Sequence, residues 1–290
     1  MASPRVVLIS GCSSGIGLYT ALLLAKDPEK RFKVFATMRN LEKKTALESE
    51  GRDRLGETLI VKQMDVSSDE SVTSVVEELV AKEGRIDILI NNAGVGCVTV
   101  LECMTMQQIK EMFDVNFFGA VRLIQAVLPG MKARQDGYIV NVSSVFGVTG
   151  GPFNDMYTAA KFAMGGLTES LAPVLKQFNI KISLVEPGPV VTSFISNLKG
   201  VASKVDLSTA DQKSVQLMQS VIARMTDLTA NVGQQSEEIA DTIKEILLSS
   251  KPHIRYLTNK YYGLDEANSK LSDLTGDKLV DVLEKRFFAN

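Results

Sequence analysis

The sequence predicts the α/β class: a single domain, residues 1–290, built on one doubly wound parallel sheet of about seven strands. Short runs rich in β-branched residues recur along the chain, and segments with the spacing of helices separate them. Strands that alternate with helices form βαβ units, which place the strands parallel and cover both faces of the sheet. With 290 residues, 45% of them apolar, the chain also has enough material for one large core.

The elements follow one another in a regular order. Helical spacing is found after Gly17, from Ser68 and from Gln107, and Ser68 is a candidate N-cap for the second of these helices. A last helix at about 236–248 precedes HIRYL, which would add an edge strand. The other predicted strands are RVVLIS from Arg5, FKVFATM from Phe32, TLIVKQM from Thr58, IDILI from Ile86, YIVNVS from Tyr138 and IKISLVEP from Ile180.

Two segments depart from this alternation. Residues 198–233 are polar and carry one apolar helical stripe, which predicts an inserted helical lid over a substrate site. The tail at 260–290 is amphipathic and has no place in the predicted sheet. No internal repeat or linker divides the chain.

Composition excludes several functions. Lys and Arg total 32 and Asp and Glu total 34, so a net charge of −2 gives no reason to expect nucleic acid as a partner. One histidine and three cysteines without a CxxC pair exclude a histidine-dependent hydrolase and a Cys/His zinc site, so no metal is expected. No apolar run approaches the roughly 20 residues that span a bilayer. We therefore expect no transmembrane segment and a cytoplasmic protein, with peripheral membrane association as the alternative.

A glycine-rich loop follows the first predicted strand. The sequence VVLISGCSSGIGL places Gly11, Gly15 and Gly17 where a buried strand gives way to a helix. Glycines at this turn allow the backbone to approach a pyrophosphate, which the helix N-terminus then binds. The spacing is G-x-x-x-G-x-G, but its position after a strand favours a dinucleotide site over an ordinary turn.

The end of the second strand indicates which dinucleotide binds. An acidic residue there would bind the ribose 2′-hydroxyl of NAD, but the chain reads ATMRN, without a carboxylate. Arg39 instead offers a guanidinium suited to a 2′-phosphate, with Ser13 or Ser14 able to assist from the loop. We therefore predict NADP(H), and the alternative for Arg39 is a solvated surface side chain.

A tyrosine and a lysine share one helical face in NDMYTAAKFA. Tyr157 and Lys161 are four residues apart, so their side chains lie close together on a helix. A free phenol titrates near pH ~10, and a fixed positive charge favours its phenolate form. The pair therefore suits proton transfer, although each residue alone is common on ordinary helices.

Together these motifs resemble the short-chain dehydrogenase/reductase family, which has a Rossmann-like fold. The resemblance covers the chain from about Arg5 to Tyr256 and includes the 13 residues from Ser144 to Tyr157. Within the family, GCSSGIG, FNDMYTAAKFA, VEPGPVVT and KPHIRYLT are most similar to the group of 17β-hydroxysteroid dehydrogenase type 1 and the photoreceptor-type retinol dehydrogenase. The matching positions are the three loop glycines, NNAG at 91–94, Asn116, Ser144, Tyr157, Lys161 and PGPVVT at 187–192.

The resemblance implies a role for each site residue. Tyr157 would be the general acid in ketone reduction and the base in alcohol oxidation, with its pKa lowered by Lys161 and by the positive nicotinamide. Ser144 would hold the substrate oxygen. Asn116 would interrupt its helix to hold a proton-relaying water, the alternative being a polar position on a buried helix. The implied cofactor contacts are Gly11, Ser13, Ser14, Gly15, Ile16, Gly17, Arg39, Asp65, Val66, Asn92, Ala93, Gly94, Tyr157, Lys161, Pro187, Val190 and Thr192.

Apolar residues near the predicted site indicate a lipophilic substrate, such as a steroid or a retinoid. Phe146 follows Ser144, while Met218 and Ile222 lie on the lid stripe, so we predict these three as substrate contacts beside Ser144 and Tyr157. Ordinary core positions are the alternative. The resemblance implies a lid histidine in estrogen-specific enzymes, and KSVQLMQSVIARM contains none.

Two other functions stay open for this fold. One is a non-enzymatic NADP(H)-binding sensor or scaffold, against which the complete set of predicted catalytic residues argues. The other is a nucleotide-sugar epimerase, whose usual G-x-x-G-x-x-G loop is absent here. Apolar faces on the helices around Asn116 and after Tyr157 predict a homodimer.

Overall fold

A seven-stranded sheet forms the centre of the protein, as the alternation of strands and helices predicts. The strands are β1 (Arg5–Ile9), β2 (Phe32–Met38), β3 (Leu59–Gln63), β4 (Ile88–Asn91), β5 (Gly137–Val142), β6 (Ile180–Glu186), β7 (Val190–Val191), β8 (Gln234–Gln235) and β9 (Arg255–Leu257). In the computed structural model, which describes residues 3–192 and 205–288, the main sheet has the order β3-β2-β1-β4-β5-β6-β9. Every neighbouring pair in it is parallel. The strands β7 and β8 form a separate short parallel pair.

Helices fill the segments between the strands. They are α1 (Gly15–Ala25), α2 (Thr45–Glu50), α3 (Asp69–Glu83), α4 (Met106–Phe113), α5 (Gly119–Arg134), α6 (Asp155–Lys176), α7 (Gln212–Val232), α8 (Ser236–Leu248), α9 (Leu264–Ser272) and α10 (Asp277–Phe288). Ser68 caps α3 by accepting a hydrogen bond from the backbone N of Ser71 at 3.1 Å, so its predicted capping role is confirmed.

Two apolar cores lie on opposite faces of the sheet, which explains why the strands are continuous apolar runs. On one face α1 and α8 pack through residues such as Leu22 and Ile243. On the other face α3, α5 and α6 contribute residues such as Val76, Leu123 and Leu175. A sheet covered on both sides leaves only its edges and strand ends for ligands.

The strand order creates a crevice at the carboxyl ends of β1 and β4. From β1 the chain continues to β2 and β3 on one side, whereas β4, β5 and β6 extend the sheet on the other side. The connections after β1 and β4 therefore diverge, and ligands of doubly wound folds bind at such a point. The glycine loop follows β1, and the NNAG segment begins at the end of β4.

One long helix bears on the membrane prediction. The helix Met106–Arg134 combines α4, a π-helical turn at Asp114–Phe118 and α5, and its length and mean hydropathy of 1.2 would suffice to cross a membrane. The helix is not an uninterrupted apolar run, because charged residues such as Asp114 and Arg122 lie within it, so it does not contradict the expectation from the sequence. Because Leu123 and Ile124 of this helix are buried against the sheet, we assign it to the core of the fold.

The predicted lid and tail are helical and touch each other. Of the lid at 198–233, residues 198–204 lie outside the described part of the chain, and α7 forms most of the remainder. The tail forms α9 and α10, and α10 packs against α7. Both segments thus lie over the carboxyl-end side of the sheet, next to the crevice.

Candidate active site

The glycine loop has the geometry that the sequence predicts. Gly11 has φ +75°, and a Cβ on it would lie 2.7 Å from the Cα of Ala93, so only glycine fits there. Gly15 has φ +59° and starts α1. A Cβ on Gly17 would overlap Asn92 and the carbonyl oxygen of Gly11. The loop therefore leaves an open cradle in front of the N-terminus of α1, as an anionic ligand requires.

Asn92 and Ser10 fix the glycine loop against the end of β4. The Asn92 side chain donates hydrogen bonds to the carbonyl oxygens of Ser10 and Gly11 at 3.0 and 2.9 Å. The hydroxyl of Ser10 accepts hydrogen bonds from the backbone N of Asn92 and Ala93. Sequence reasoning did not identify Ser10, because its role depends on contacts across two strands.

Arg39 and Asp65 lie at the far end of the crevice from the tyrosine. Arg39 follows β2 and is exposed, and no described residue forms an ion pair with its guanidinium. The Asp65 carboxylate accepts hydrogen bonds from the backbone N of Ser67 at 3.0 Å and from its hydroxyl at 2.6 Å. One Asp65 oxygen is therefore engaged in the turn before α3.

Ser144, Tyr157 and Lys161 converge beside the ends of β5 and α6. Ser144 follows β5, and its hydroxyl accepts a hydrogen bond from the backbone N of Phe146 at 3.2 Å. A hydrogen bond also joins Ser144 to the phenol of Tyr157. The Nζ of Lys161 lies 5.6 Å from the centroid of the Tyr157 ring. The predicted helical pair therefore does share one face, with the serine opposite.

Burial controls the acidity of both residues of the pair. It raises the pKa of the Tyr157 phenol to about 12, against which the Ser144 hydrogen bond acts. Burial lowers the pKa of Lys161 to about 8, and its Nζ donates to the carbonyl oxygen of Val142 at 3.0 Å. In the chain without cofactor the Ser144 hydrogen bond lowers the phenol's pKa, and the predicted effect of Lys161 together with the nicotinamide stays a prediction. Near pH 7 the pair is a neutral phenol beside a mostly protonated amine.

Asn116 interrupts its helix, as predicted, within the π-helical turn Asp114–Phe118. Its side chain accepts from the backbone N of Val95 and donates to the carbonyl oxygen of Val95, both at 2.7 Å. Around Gly94 the site is crowded, because a Cβ there would lie 3.2 Å from Asn116 Oδ1 and 3.8 Å from Lys161 Nζ. The side chain of Asn116 therefore holds the loop after β4 next to Lys161.

A cavity of about 350 Å³ runs from the glycine loop to Tyr157 and the lid helix. The structure brings most of the predicted cofactor and substrate residues into its wall. Those lining it are Gly11, Ser13, Ser14, Gly15, Ile16, Arg39, Asp65, Val66, Asn92, Ala93, Gly94, Ser144, Phe146, Tyr157, Lys161, Pro187, Val190 and Thr192.

Four predicted residues are not in this wall. Gly17 and Asn116 lie behind it, where they pack or bond to the loops that form it. Met218 and Ile222 lie instead in an apolar cluster with Val98 and the loop after β4. The structure therefore does not place these two lid residues where a ligand in the cavity would contact them.

Other residues take the place of Met218 and Ile222 in the cavity wall. Met225, Leu228 and Thr229 of α7 line it, and so does Tyr262 from the tail. Met225 belongs to the stripe that the sequence shows, whereas Tyr262 had no signal other than an amphipathic tail. The cavity thus combines a wall from the sheet with a wall from the lid and the tail.

The chain belongs to the short-chain dehydrogenase family. The family model described as short chain dehydrogenase matches residues 5–202. Retinol dehydrogenase 8 of Homo sapiens is 48% identical over 97% of this chain and 86% of its own length. The 17-beta-hydroxysteroid dehydrogenase type 1 of Homo sapiens is 38% identical over 98% of this chain and 86% of its own length. The predicted resemblance, including the group within the family, is therefore confirmed.

A solved structure agrees with this assignment. A metagenomic short-chain oxidoreductase in complex with NADP is 26% identical and superimposes with a TM-score of 0.68 over 88% of this chain and 96% of that chain. The Rossmann-like fold that the sequence predicts is confirmed, and the protein is an oxidoreductase of the short-chain alcohol dehydrogenase type.

Proposed function

We propose that the protein is an NADP(H)-dependent oxidoreductase that interconverts a ketone or aldehyde and an alcohol on a lipophilic substrate, either a steroid (17-keto/17β-hydroxy) or a retinoid (retinal/retinol). The observation that carries the proposal is the meeting of Ser144, Tyr157 and Lys161 in the wall of the same cavity as the glycine loop. Similarity to a retinol dehydrogenase and to a hydroxysteroid dehydrogenase supports both the reaction type and the lipophilic class.

The residues of the crevice fit a dinucleotide. Gly11 and Gly15 adopt the positive φ values that leave space for a pyrophosphate at the N-terminus of α1, and a Cβ on Gly11 would collide with the backbone of Ala93 and displace this loop. Arg39 at the end of β2 would bind the 2′-phosphate of NADP, because the segment ATMRN offers no carboxylate for a 2′-hydroxyl. Lys161 would hold the nicotinamide ribose. When bound, the cofactor supplies a hydride for carbonyl reduction or accepts one in alcohol oxidation.

In reduction the Tyr157 phenol donates its proton to the substrate oxygen, which becomes the alcohol. Burial keeps the phenol protonated near neutral pH by raising its pKa, and because an efficient general acid has a pKa near the working pH, the positive charges of Lys161 and the oxidised nicotinamide would lower it in the complex. Ser144 holds the same oxygen through its hydroxyl. The neighbouring ammonium of Lys161 then stabilises the phenolate that forms until Tyr157 recovers a proton. Asn116 keeps the Val95 loop in place beside this path, and we propose that the relaying water is held there.

The test is NADPH oxidation, followed by absorbance, with a panel of carbonyl compounds. The panel contains estrone, androstenedione, all-trans-retinal and a small aldehyde. We expect turnover of at least one lipophilic compound with a higher kcat/KM than the small aldehyde, and we propose reduction as the physiological direction. Absence of NADPH oxidation with every compound would contradict the proposal. Binding of a UDP-sugar in a parallel assay would instead favour the epimerase alternative.

We also propose that the enzyme forms a homodimer through the helices around Asn116 and after Tyr157. Phe118, the last residue of the π-helical turn, is 47% exposed, and Val174 near the end of α6 is 50% exposed. Exposed apolar side chains on such helices suit a self-complementary interface. Light scattering at micromolar concentration tests this, and a monomer would contradict it. The cytoplasmic location stays a prediction, which fractionation of cells can test.

A further inference from the structure

Tyr262 reaches the cavity from the tail, more than 100 residues after the catalytic tyrosine in the sequence. Its side chain is 7% exposed and shares one apolar cluster with Phe146 and Tyr157. Val221 of the lid helix and Phe287 of α10 belong to the same cluster. A residue of the tail is therefore built into the wall around the proposed reaction site.

The turn after Tyr262 is fitted closely to the segment that carries Ser144. Gly263 has φ +93°, and a Cβ on it would overlap the side chain of Val145. Both the left-handed backbone and the close approach require glycine at this position. The path of the tail is therefore set directly against the residue after the predicted catalytic serine.

Arg286 holds Tyr262 from the outer side. The guanidinium carbon of Arg286 lies 4.6 Å from the centroid of the Tyr262 ring. The charge of Arg286 also acts against the burial that raises the pKa of the Tyr262 phenol to about 12. Arg286 lies against the ring of Tyr262, and Tyr262 also lines the cavity, so its remaining ring atoms are available for a ligand there.

Glu266 holds Arg286 in turn. It lies on α9, its side chain is 2% exposed, and its carboxylate forms an ion pair with Nε of Arg286 at 2.7 Å. Within residues 3–192 and 205–288 no second cation pairs with Glu266. Arg286 lies on α10, and its carbonyl oxygen accepts a hydrogen bond from Nε of Arg224 on the lid helix at 3.2 Å. Three helices are thus connected at this one arginine.

A buried ion pair is a poor way to gain stability. Removing two charges from water costs much of what their attraction returns, and apolar replacements of such pairs are often as stable. What a pair of this kind does provide is a defined geometry, since each charge accepts few other arrangements. We therefore explain the pairing of buried Glu266 with half-buried Arg286, behind a cavity residue, by positioning rather than by stability.

We infer that Glu266 and Arg286 are positioning residues that fix the ring of Tyr262 as the apolar wall of the substrate site, so that Tyr262 determines specificity for extended apolar carbonyl substrates. We call these three residues the tail latch. This inference rests on the proposed function and adds to it the residues that select the substrate. It assigns no part in proton or hydride transfer to the tail latch.

The experiment compares KM and kcat for the panel compound that the unaltered enzyme reduces best, with the Kd of NADPH as the control for the cofactor site. Tyr262→Ala is expected to raise KM at least about tenfold, the effect of losing apolar contacts in a pocket. Both kcat and the Kd of NADPH stay close to those of the unaltered enzyme. Arg286→Met raises KM in the same direction, and Arg286→Lys, which keeps the charge beside Glu266, restores part of the loss.

Matched controls are available on the same helices. Lys285→Met and Glu284→Gln remove one exposed charge each from α10 and should leave KM unchanged. Tyr262→Phe keeps the ring and removes only the hydroxyl. Its KM should therefore rise less than that of Tyr262→Ala, and because it keeps the apolar packing it still tests the inference if Tyr262→Ala fails to fold. Unchanged KM in Tyr262→Ala and Arg286→Met would overturn the tail latch alone. If these variants raise KM, lower kcat and weaken NADPH binding by similar factors, the tail latch is also overturned, because such changes indicate a general structural role.

The activity of the unaltered enzyme shows whether the tail latch or the proposed function has failed. If the unaltered enzyme oxidises NADPH with no compound of the panel, the proposed function fails, and the tail latch fails with it. If the unaltered enzyme is active, the proposed function stands, and the KM values of the variants then test the tail latch alone.

Discussion

The two ends of the cavity are built in different ways. At the cofactor end, the wall consists of loops that directly follow β1, β2 and β4, and buried strands on both sides hold those loops. At the substrate end, α7, α9 and α10 rest on one another and on the apolar cluster around Tyr157. The tail there exposes large apolar side chains, including Leu271 at 78% and Val280 at 63%.

This difference separates cofactor binding, at the wall held by the sheet, from substrate selection, at the wall formed by helices. A wall fixed by the sheet gives the rigid, close approach that a pyrophosphate and a hydride donor need. A wall formed by helices packed on each other can vary between relatives without disturbing the catalytic residues. We therefore expect changes at the cofactor end to affect every substrate equally, and changes at the substrate end to affect substrates selectively.

Replacement of Tyr157 by Phe, at the junction of the two ends, should have the largest effect. Loss of a general acid lowers kcat by about 10²- to 10⁴-fold. The Kd of NADPH should stay the same, since the glycine loop and Arg39 are untouched, and fluorescence of bound NADPH measures it. Tyr261→Phe is the matched control, because it makes the same change at a tyrosine of the tail that is 82% exposed. Normal turnover by Tyr157→Phe would contradict the assigned mechanism.

Gly11→Ala should test the rigidity of the cofactor end. A left-handed backbone costs alanine about 1–2 kcal/mol, and at Gly11 the new Cβ also meets the Cα of Ala93. Gly56→Ala is the control, since Gly56 has φ +78° with nothing within 4 Å of its Cβ position. Chemical denaturation should show a larger loss of stability in Gly11→Ala than in Gly56→Ala, because only the first adds a clash to the backbone strain. NADPH titration should show a loss of cofactor binding only in Gly11→Ala. Equal cofactor binding in the two would mean that the loop does not hold the pyrophosphate.

Arg39→Met should change the preference between the two nicotinamide cofactors. A charge-assisted hydrogen bond is worth about 1.5–3 kcal/mol, so the Kd of NADPH should rise at least about tenfold. The Kd of NADH should not change, since it has no 2′-phosphate. Lys43→Met removes an exposed positive charge a few residues away and serves as the control. Similar kcat/KM of the unaltered enzyme with NADH and NADPH would contradict the role of Arg39.

The smallest expected effect is the pH dependence of cofactor binding through Lys161. Burial lowers the pKa of this lysine to about 8, and its ammonium donors would strengthen ribose binding. Binding favours the protonated form and so raises the pKa in the complex, which means that affinity for NADPH is highest below pH 8 and falls as the pH rises above it. The fall should be about threefold, or half a pKa unit. Titrations between pH 7 and 10 should show this fall in the unaltered enzyme and no fall in Lys161→Met.

The cofactor end could be predicted from the sequence because its determinants are local. A strand, three glycines and a helix N-terminus lie within one short segment, and the requirement for glycine follows from backbone geometry alone. The same holds for Tyr157 and Lys161, whose contact is set by the helical repeat. The helix 236–248 was also predicted with the bounds that the structure shows.

The substrate end could not be predicted in the same way. The apolar stripe of α7 indicates which face is buried but not what each part of it contacts. Met218 and Met225 are seven residues apart on one face, about 10 Å along the axis, and only Met225 reaches the cavity. Tyr262 depends on contacts of the tail with α7 and with Val145, which are distant in sequence, so no local pattern indicates its place.

The central claim is that a carbonyl compound in this cavity receives a hydride from NADPH while Tyr157 supplies the proton. Its most direct test is a single-turnover reaction with NADPH that carries deuterium at the transferable C4 position, followed by mass spectrometry of the product alcohol. The account predicts deuterium on the former carbonyl carbon with the unaltered enzyme and, in the same reaction time, at least about a hundredfold less labelled alcohol with Tyr157→Phe, although that variant binds NADPH. An alcohol without deuterium, or equal labelling by Tyr157→Phe, would contradict it.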